Sequence, residues 1–458
     1  MIAKINHLIT FGLNLSIRIK QIKIYEAIRQ TFSILFPFVV IGSIIRSLNL
    51  AVFTPDGFFA NVYKIPQWLP HYNAIRQPLS AITNLTINII ALLSVFFVTK
   101  YLAQMLKDDD HIVGICGFLS FMLLNYNFNA RRAALDNFNN LVNFNNFGFK
   151  DIFLSILVGI VVAYSYHGLA KLNQLYLKHH KPKHAPDVNS FTNRGIRAIF
   201  PVSTILLVMT LLGFLISFSK QQNLSGLLYD TILVSPNHFT HRTVLIVIIT
   251  VLNNFMSLLG ISGPLNFMAQ NVSNTMGAAN LNHALSTKNL FSVPNPVTLH
   301  TLYDTYGNFG GTGMTLALII CILLISKNTN LRQVAKFSII PGLVNINDTM
   351  LLGVPIMFSP ILFIPYLISP LISMFIAWIF INFQWMPPAV YQVPGTTPSF
   401  LLGYLGTNGN IVALLVSFLC LGVSVMVYYP FVVLLEHIRQ QDIELALNQP
   451  LKQVLTHD

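Results

Sequence analysis

The residues best suited to chemistry lie in Pro341-Gly342-Leu343-Val344-Asn345-Ile346-Asn347-Asp348-Thr349, directly before a long apolar run. Side-chain amides donate and accept hydrogen bonds, whereas an ionised carboxylate only accepts. Asn345, Asn347 and Asp348 therefore make an array suited to a hydroxyl-rich guest, whose groups do both. Asp348 also stands where a helix N-cap belongs, and both roles are open to it. Three further ionisable residues sit in or beside apolar segments: Arg46, His167 and Asp304. Charges in hydrocarbon are costly, so such groups are functional candidates. Arg46 falls near the outer end of its span, where a long side chain can snorkel to the headgroups. His167 lies near the cytoplasmic end of its span and reads as a satisfied interfacial histidine. Asp304, in Tyr303-Asp304-Thr305-Tyr306, suits a cap or turn as well as a binding role. Gly310-Gly311-Thr312-Gly313 looks like a phosphate cradle, but no Gly-Lys-Ser/Thr follows it. No nucleophile with an acid–base pair can be assembled, so we expect no catalytic residues and no cofactor.

The elements that must position these groups are membrane helices. The chain has 458 residues, of which 54% are hydrophobic and 9% charged; soluble domains carry about a quarter charged residues. Its only glutamates, Glu26, Glu436 and Glu444, lie near the two ends. The net charge of +12 comes from basic residues between apolar spans, a membrane-protein pattern rather than a nucleic-acid one. Cys116, Cys321 and Cys420 each lie in an apolar run without metal-ligand spacing, so they read as small core residues and no metal is expected.

A spanning helix needs about 20 mostly apolar residues. The windows 30–49, 81–99, 111–125, 152–170, 199–218, 243–262, 309–326, 349–383 and 409–435 qualify as spans or parts of spans. Lys and Arg concentrate before the first span, at 100–110 and at 171–197, while 50–80 and 219–242 are poorer. By the positive-inside rule both ends of the chain are cytoplasmic. Residues 1–25 read as an amphipathic segment at the lipid headgroups, not a secretory signal. The asparagine-rich stretch 126–150 reads as an irregular outer loop. The cluster Lys178-His179-His180-Lys181-Pro182-Lys183-His184 reads as a linker facing anionic lipid.

Beyond that linker the texture changes. Residues 260–315 are rich in Gly and Pro, and the uncharged run 349–383 is too long for one crossing and has Pro355, Pro360, Pro365 and Pro370. Proline removes a backbone donor. Backbone polar groups freed at membrane depth are tolerated only inside protein or beside a wet cavity. We therefore expect broken, cavity-lining helices in the second half.

Four stretches carry a resemblance to a known family. They are Leu35-Phe36-Pro37-Phe38-Val39-Val40-Ile41-Gly42-Ser43; Phe309-Gly310-Gly311-Thr312-Gly313-Met314-Thr315-Leu316; Asn345-Ile346-Asn347-Asp348 with Gly353-Val354-Pro355-Ile356; and Val393-Pro394-Gly395-Thr396-Thr397-Pro398 with Tyr428-Tyr429-Pro430-Phe431. In order and spacing the chain resembles EIIC, the membrane subunit of the bacterial phosphotransferase system, in its lactose/cellobiose/diacetylchitobiose branch. The third stretch is similar to that family's N-I-N-E-P…F-G-L-P-I motif.

The resemblance implies an all-α polytopic membrane protein with about ten transmembrane helices and two re-entrant hairpins, set in the bacterial cell membrane. It implies a homodimer, with a scaffold over 26–220, a mobile transport domain over 221–440 and a cytoplasmic tail over 441–458. A sugar such as a β-glucoside or cellobiose-like disaccharide would cross by an elevator-like movement. A separate cytoplasmic EIIB would then phosphorylate it. Carried onto this sequence, the sugar would meet Asn345, Asn347, Asp348, Ser262 and Thr312. The chain also departs from the family. Its Gly260-Ile261-Ser262-Gly263 has serine where the family has histidine, Asp348 is one methylene shorter than the family's glutamate, and Gly395 stands where a tryptophan is expected near Pro394. Two alternatives follow from these departures: a transporter or exporter uncoupled from phosphorylation, and a non-transporting sensor or scaffold.

Overall fold

In this computed structural model, residues 22–128, 147–179, 191–217, 242–261, 263–265, 273–354, 356 and 359–454 are described. Ser262, residues 1–21, most of the asparagine-rich loop and the linker from His180 to Ser190 lie outside them. The described elements are helical. The first half holds α1 (Lys23–Ala51), α2 (Phe58–Val62), α3 (Ile65–Trp68), α4 (Tyr72–Thr86), α5 (Ile90–Leu106), α6 (Asp110–Leu124), α7 (Ile152–His179) and α8 (Phe191–Ser217). The second holds α9 (Arg242–Leu258), α10 (Ser273–Thr287), a π-helical turn (His300–Gly307), α11 (Thr315–Ile325), α12 (Thr329–Leu343), α13 (Asp348–Gly353), α14 (Pro360–Asn382), α15 (Ser399–Gly406) and α16 (Ile411–Val454). Among the described residues, six helical stretches are long and apolar enough to cross a membrane: 23–51, 72–106, 149–175, 194–217, 361–382 and 411–440.

The first half is a bundle around α5, which packs against α1, α6 and α7, while α8 covers α6 and α7. Val95, Val98 and Leu102 bury the inner face of α5 completely. Helices α5 and α6 approach through small residues, since a Cβ on Gly117 would lie 2.3 Å from Thr99 Oγ1. Such pairs let membrane helices come close where water offers no hydrophobic drive. Several buried hydroxyls are satisfied locally: Thr31, Ser47, Ser94 and Thr99 each donate to the carbonyl one turn earlier, at 2.5–2.8 Å. This lets a polar side chain sit in an apolar helix without a distant partner. On α8, Leu207, Leu211 and Leu215 are exposed, as expected of a face turned to lipid.

In the second half α14 and α16 form the centre. Helix α11 packs on α12 and α16, α15 on α16 and the π turn, and α9 on α14. Several sequence windows change here. The run 349–383 divides into α13 and α14, with the break after Gly353. Pro365 and Pro370 nevertheless lie inside a continuous α14, whose packing on both sides outweighs the lost donors. The window 309–326 yields only the 11 residues of α11, a rise of about 16 Å against a hydrocarbon core of about 30 Å. In the first half, the window 81–99 is broken at Ile87–Ile89, between α4 and α5. The main packing between the halves is α1 against α12 and α13.

Candidate functional site

The short helices of the second half bring three distant loops together. Met314 and Asn345 take left-handed backbone, as do Gly310, Gly311 and Gly313. At Gly313 the need for glycine is twofold, because φ is +76° and a Cβ would lie 2.3 Å from the Tyr366 ring. The glycine turn is then pinned from several sides. Gly310 N donates to Ser399 Oγ at 3.0 Å and to Asn345 Oδ1 at 3.3 Å. Thr315 Oγ1 donates to Gly310 O at 2.5 Å, and Tyr428 OH donates to Gly313 O at 2.5 Å.

Asn345 is the hub of this junction. Its Nδ2 donates to Gly395 O at 2.9 Å and Thr397 O at 3.1 Å, and its Oδ1 accepts from Gly310 N and Ser399 Oγ. Both amide protons and both lone pairs are thus used within the protein. Asn345 therefore builds the site rather than offering itself to a guest. Asn347 differs: its Nδ2 donates to Thr312 Oγ1 at 2.8 Å and Thr312 O at 3.2 Å, while its Oδ1 has no hydrogen bond among the described residues. Thr312 Oγ1 continues into a hydroxyl triangle, 2.7 Å from Tyr366 OH and 2.9 Å from Ser257 Oγ, with Ser257 and Tyr366 3.1 Å apart.

Asp348 is the first residue of α13 and makes no capping bond; its preceding residue, Asn347, occupies the N-cap position. The carboxylate instead takes Arg46 Nη1 at 2.9 Å on Oδ2, from 302 residues away. The N-cap reading of Asp348 and the snorkelling reading of Arg46 therefore both give way to an ion pair between α1 and α13. The Asp348 side chain is 10% exposed, whereas a third of the Arg46 side chain remains open, at 33%. Asp348 Oδ1 and the remaining prongs of the guanidinium have no hydrogen bond among the described residues.

Of the five residues singled out from the sequence, Asn345, Asn347, Asp348 and Thr312 converge here. Ser262 lies outside the described residues. Its neighbour Gly263 packs where a Cβ would lie 2.1 Å from Asn253 Oδ1. Sequence reasoning missed Ser257, Tyr366, Ser399 and the role of Arg46. Asn253, Asn254 and Ser257 in an otherwise apolar α9 were the signal for the first. Asn253 Nδ2 donates to Tyr303 OH at 3.0 Å, and Asn254 Nδ2 is buried without a partner among the described residues. His167 is satisfied as its position implied, with Nδ1 2.7 Å from Asp108 Oδ2. Asp304 takes the turn position that its sequence context suits, with its side chain 42% exposed. It lies in the π turn with Oδ2 3.5 Å from His300 Nδ1.

Among the described residues the arrangement offers paired donors and acceptors to a neutral polar guest and places no nucleophile beside a base. The profile of the family described as "Phosphotransferase system, EIIC" matches residues 29–370. The oligo-beta-mannoside-specific EIIC component of Bacillus subtilis is 22% identical over 417 residues, 90% of each chain. The cellobiose-specific EIIC component of Geobacillus stearothermophilus is 24% identical over 426 residues, 89% of this chain and 88% of that one. The solved transporter ChbC, the IIC component of an N,N'-diacetylchitobiose-specific system, is 21% identical, covering 94% of this chain and 97% of its own, with a TM-score of 0.41. The family match spans well over half of the sequence and includes the glycine turn and the Asn345–Asp348 strip: this chain belongs to the phosphotransferase system EIIC family.

Proposed function

We infer that this protein is the sugar-translocating subunit of a phosphotransferase-type system, and that it moves a β-linked disaccharide or short oligosaccharide across the bacterial membrane. One observation carries the reading. Three loops are cross-linked by Asn345, and beside them Asn347 Oδ1 and Asp348 Oδ1 are acceptors left uncommitted among the described residues. Among the described residues, buried polar atoms without partners lie in or next to each of these three loops: Asn308 Oδ1, Thr349 Oγ1 and Thr397 Oγ1. Such atoms cost about 1–3 kcal/mol each unless water or a guest reaches them. The substrate class follows the names of full-length relatives specific for oligo-β-mannosides and cellobiose.

On this reading residues 26–220 form the scaffold and 221–440 the transport domain, with two re-entrant hairpins among about ten membrane helices. The transport domain shifts against the scaffold like an elevator, and the chain works as a homodimer with both ends in the cytoplasm. Breaks flanking α11 and α13 are what hairpins turning back inside the membrane require. A separate cytoplasmic EIIB donates the phosphoryl group to the sugar. One relative, the lactose-specific EIICB component of Lactococcus lactis, carries both labels in its name and is 31% identical over 145 residues, 31% of this chain and 26% of that one.

The test is uptake of labelled cellobiose and mannobiose by cells producing the chain with its EIIB, followed by analysis of the sugar inside. Sugar phosphate is the expected product. Free sugar at equal rate identifies an uncoupled transporter, the reading favoured by Ser262 in place of the family histidine. No uptake and no binding of either sugar overturns the transport reading.

A further inference from the structure

We propose that Arg46 belongs to the sugar site, where with Asp348 it forms a subsite for two neighbouring hydroxyls of one sugar ring. This rests on the sugar reading above and adds a residue from the first helix to a strip otherwise drawn from the second half. A guanidinium is a planar fork of five N–H donors, able to grip both oxygens of a carboxylate at once. Here it uses one prong, Nη1 to Asp348 Oδ2 at 2.9 Å. The rest of the fork makes no other hydrogen bond among the described residues, on a side chain that keeps 33% of its surface open. Asp348 Oδ1 is likewise uncommitted, although the residue is 7% exposed. The pair therefore presents an acceptor and donors side by side. A sugar ring offers the complement on adjacent carbons: one hydroxyl donates to Asp348 Oδ1, and the oxygen of its neighbour accepts from the Arg46 fork. Lysine, a point charge without the fork, reproduces only part of this.

The anchoring of the strip supports the same assignment. Asn347 Nδ2 is held by Thr312, which fixes the start of α13 and leaves Asn347 Oδ1 free next to the ion pair in the chain. Arg46 reaches this point from α1, the helix that makes the main packing of the first half against α12 and α13. The subsite is consequently complete only while α1 and α13 are in register.

The experiment is equilibrium binding of cellobiose, and of each of its monodeoxy derivatives, to the intact chain in lipid nanodiscs. It compares wild type with Arg46→Met, Arg46→Lys, Asp348→Asn and Arg46→Met/Asp348→Asn. In the wild type, deleting either of two neighbouring hydroxyls weakens binding about tenfold. Arg46→Met binds cellobiose about tenfold more weakly and becomes indifferent to one of those deletions, Asp348→Asn becomes indifferent to the other, and Arg46→Lys retains part of the preference. The double variant removes both charges together, so no lone charge remains to destabilise the fold, and it still binds weakly. Wild-type affinity in Arg46→Met, an unchanged response to every deoxy position, or restored binding in the double variant overturns the subsite and makes the pair purely structural. If the wild type binds neither cellobiose nor mannobiose, the sugar reading fails first and the subsite with it.

Discussion

The two halves of this chain solve the same problem in different ways. In the bundle around α5, hydroxyls buried in apolar helices bond to their own backbone one turn back, as Ser94 and Thr99 do. The second half keeps such bonds, as at Thr250 and Ser417, and adds long-range ones at the junction: Ser399 reaches Gly310, Tyr428 reaches Gly313, and Asn345 ties its own loop to two others. Local satisfaction makes each helix independent and tolerant. Distant satisfaction makes a junction in which one group serves several loops, and there the Asn347 and Asp348 carbonyl and carboxylate oxygens are left over for a guest. A membrane chain can thus carry polar groups cheaply for structure, or collect them at one place for binding.

The sharpest break of that contrast is Asp348→Ala. It is expected to lower cellobiose uptake at least about 100-fold, the loss of a charge-assisted contact made to substrate. The amount of protein in the membrane should stay near wild type, since the released Arg46 is partly exposed and can rehydrate. Uptake assayed beside quantitative blotting decides it, and normal uptake removes Asp348 from the site.

Next comes backbone geometry. Gly313→Ala forces a methyl onto the Tyr366 ring at left-handed φ and should cost about 3 kcal/mol, from strain and overpacking together. Gly168→Ala, in α7 with open space around it, should stabilise by up to about 1 kcal/mol. Thermal unfolding in detergent measures both, and equal effects would erase the contrast between the halves.

A third comparison separates builder from ligand. Asn345→Ala should lose about 3 kcal/mol of stability, since four hydrogen bonds go at once. Asn347→Ala should instead raise the sugar concentration for half-maximal uptake several-fold, with a melting temperature close to wild type. The reverse pattern would exchange their roles.

The smallest effect tests the hydroxyls alone. Ser94→Ala, which gives up only a bond within its own helix, should change stability by less than about 0.5 kcal/mol. Ser399→Ala leaves Gly310 N and Asn345 short of a partner and should cost about 1–2 kcal/mol.

Much of this was visible in the sequence, for reasons that also explain what was hidden. Apolar runs without charge announce membrane helices, and glycine next to asparagine announces tight turns, so the Gly310–Gly313 segment and the Asn345–Asp348 strip stood out. Composition cannot tell which amide is spent internally. Asn345 and Asn347 differ by two positions and one intervening isoleucine, yet one is saturated and the other is not. Nor does sequence reveal partners 302 residues apart, so Arg46 looked like a helix-end cation until α1 was seen against α13. Pro365 and Pro370 were over-read as breaks because their effect depends on neighbouring helices, which only the tertiary packing supplies.

The Asn345 hub also sets an order of assembly during synthesis. Gly310, Asn345 and Ser399 must all be present before the hub closes, so the glycine turn waits while nearly ninety further residues leave the ribosome, |i−j| being 89 for Gly310 and Ser399. At about 5–20 residues per second that delay lasts several seconds. Throughout it the Gly310 amide has only its longer bond to Asn345 Oδ1, at 3.3 Å, and the Asn345 amide protons await Gly395 and Thr397, so the membrane-insertion machinery or water must shelter this junction until the C-terminal helices arrive.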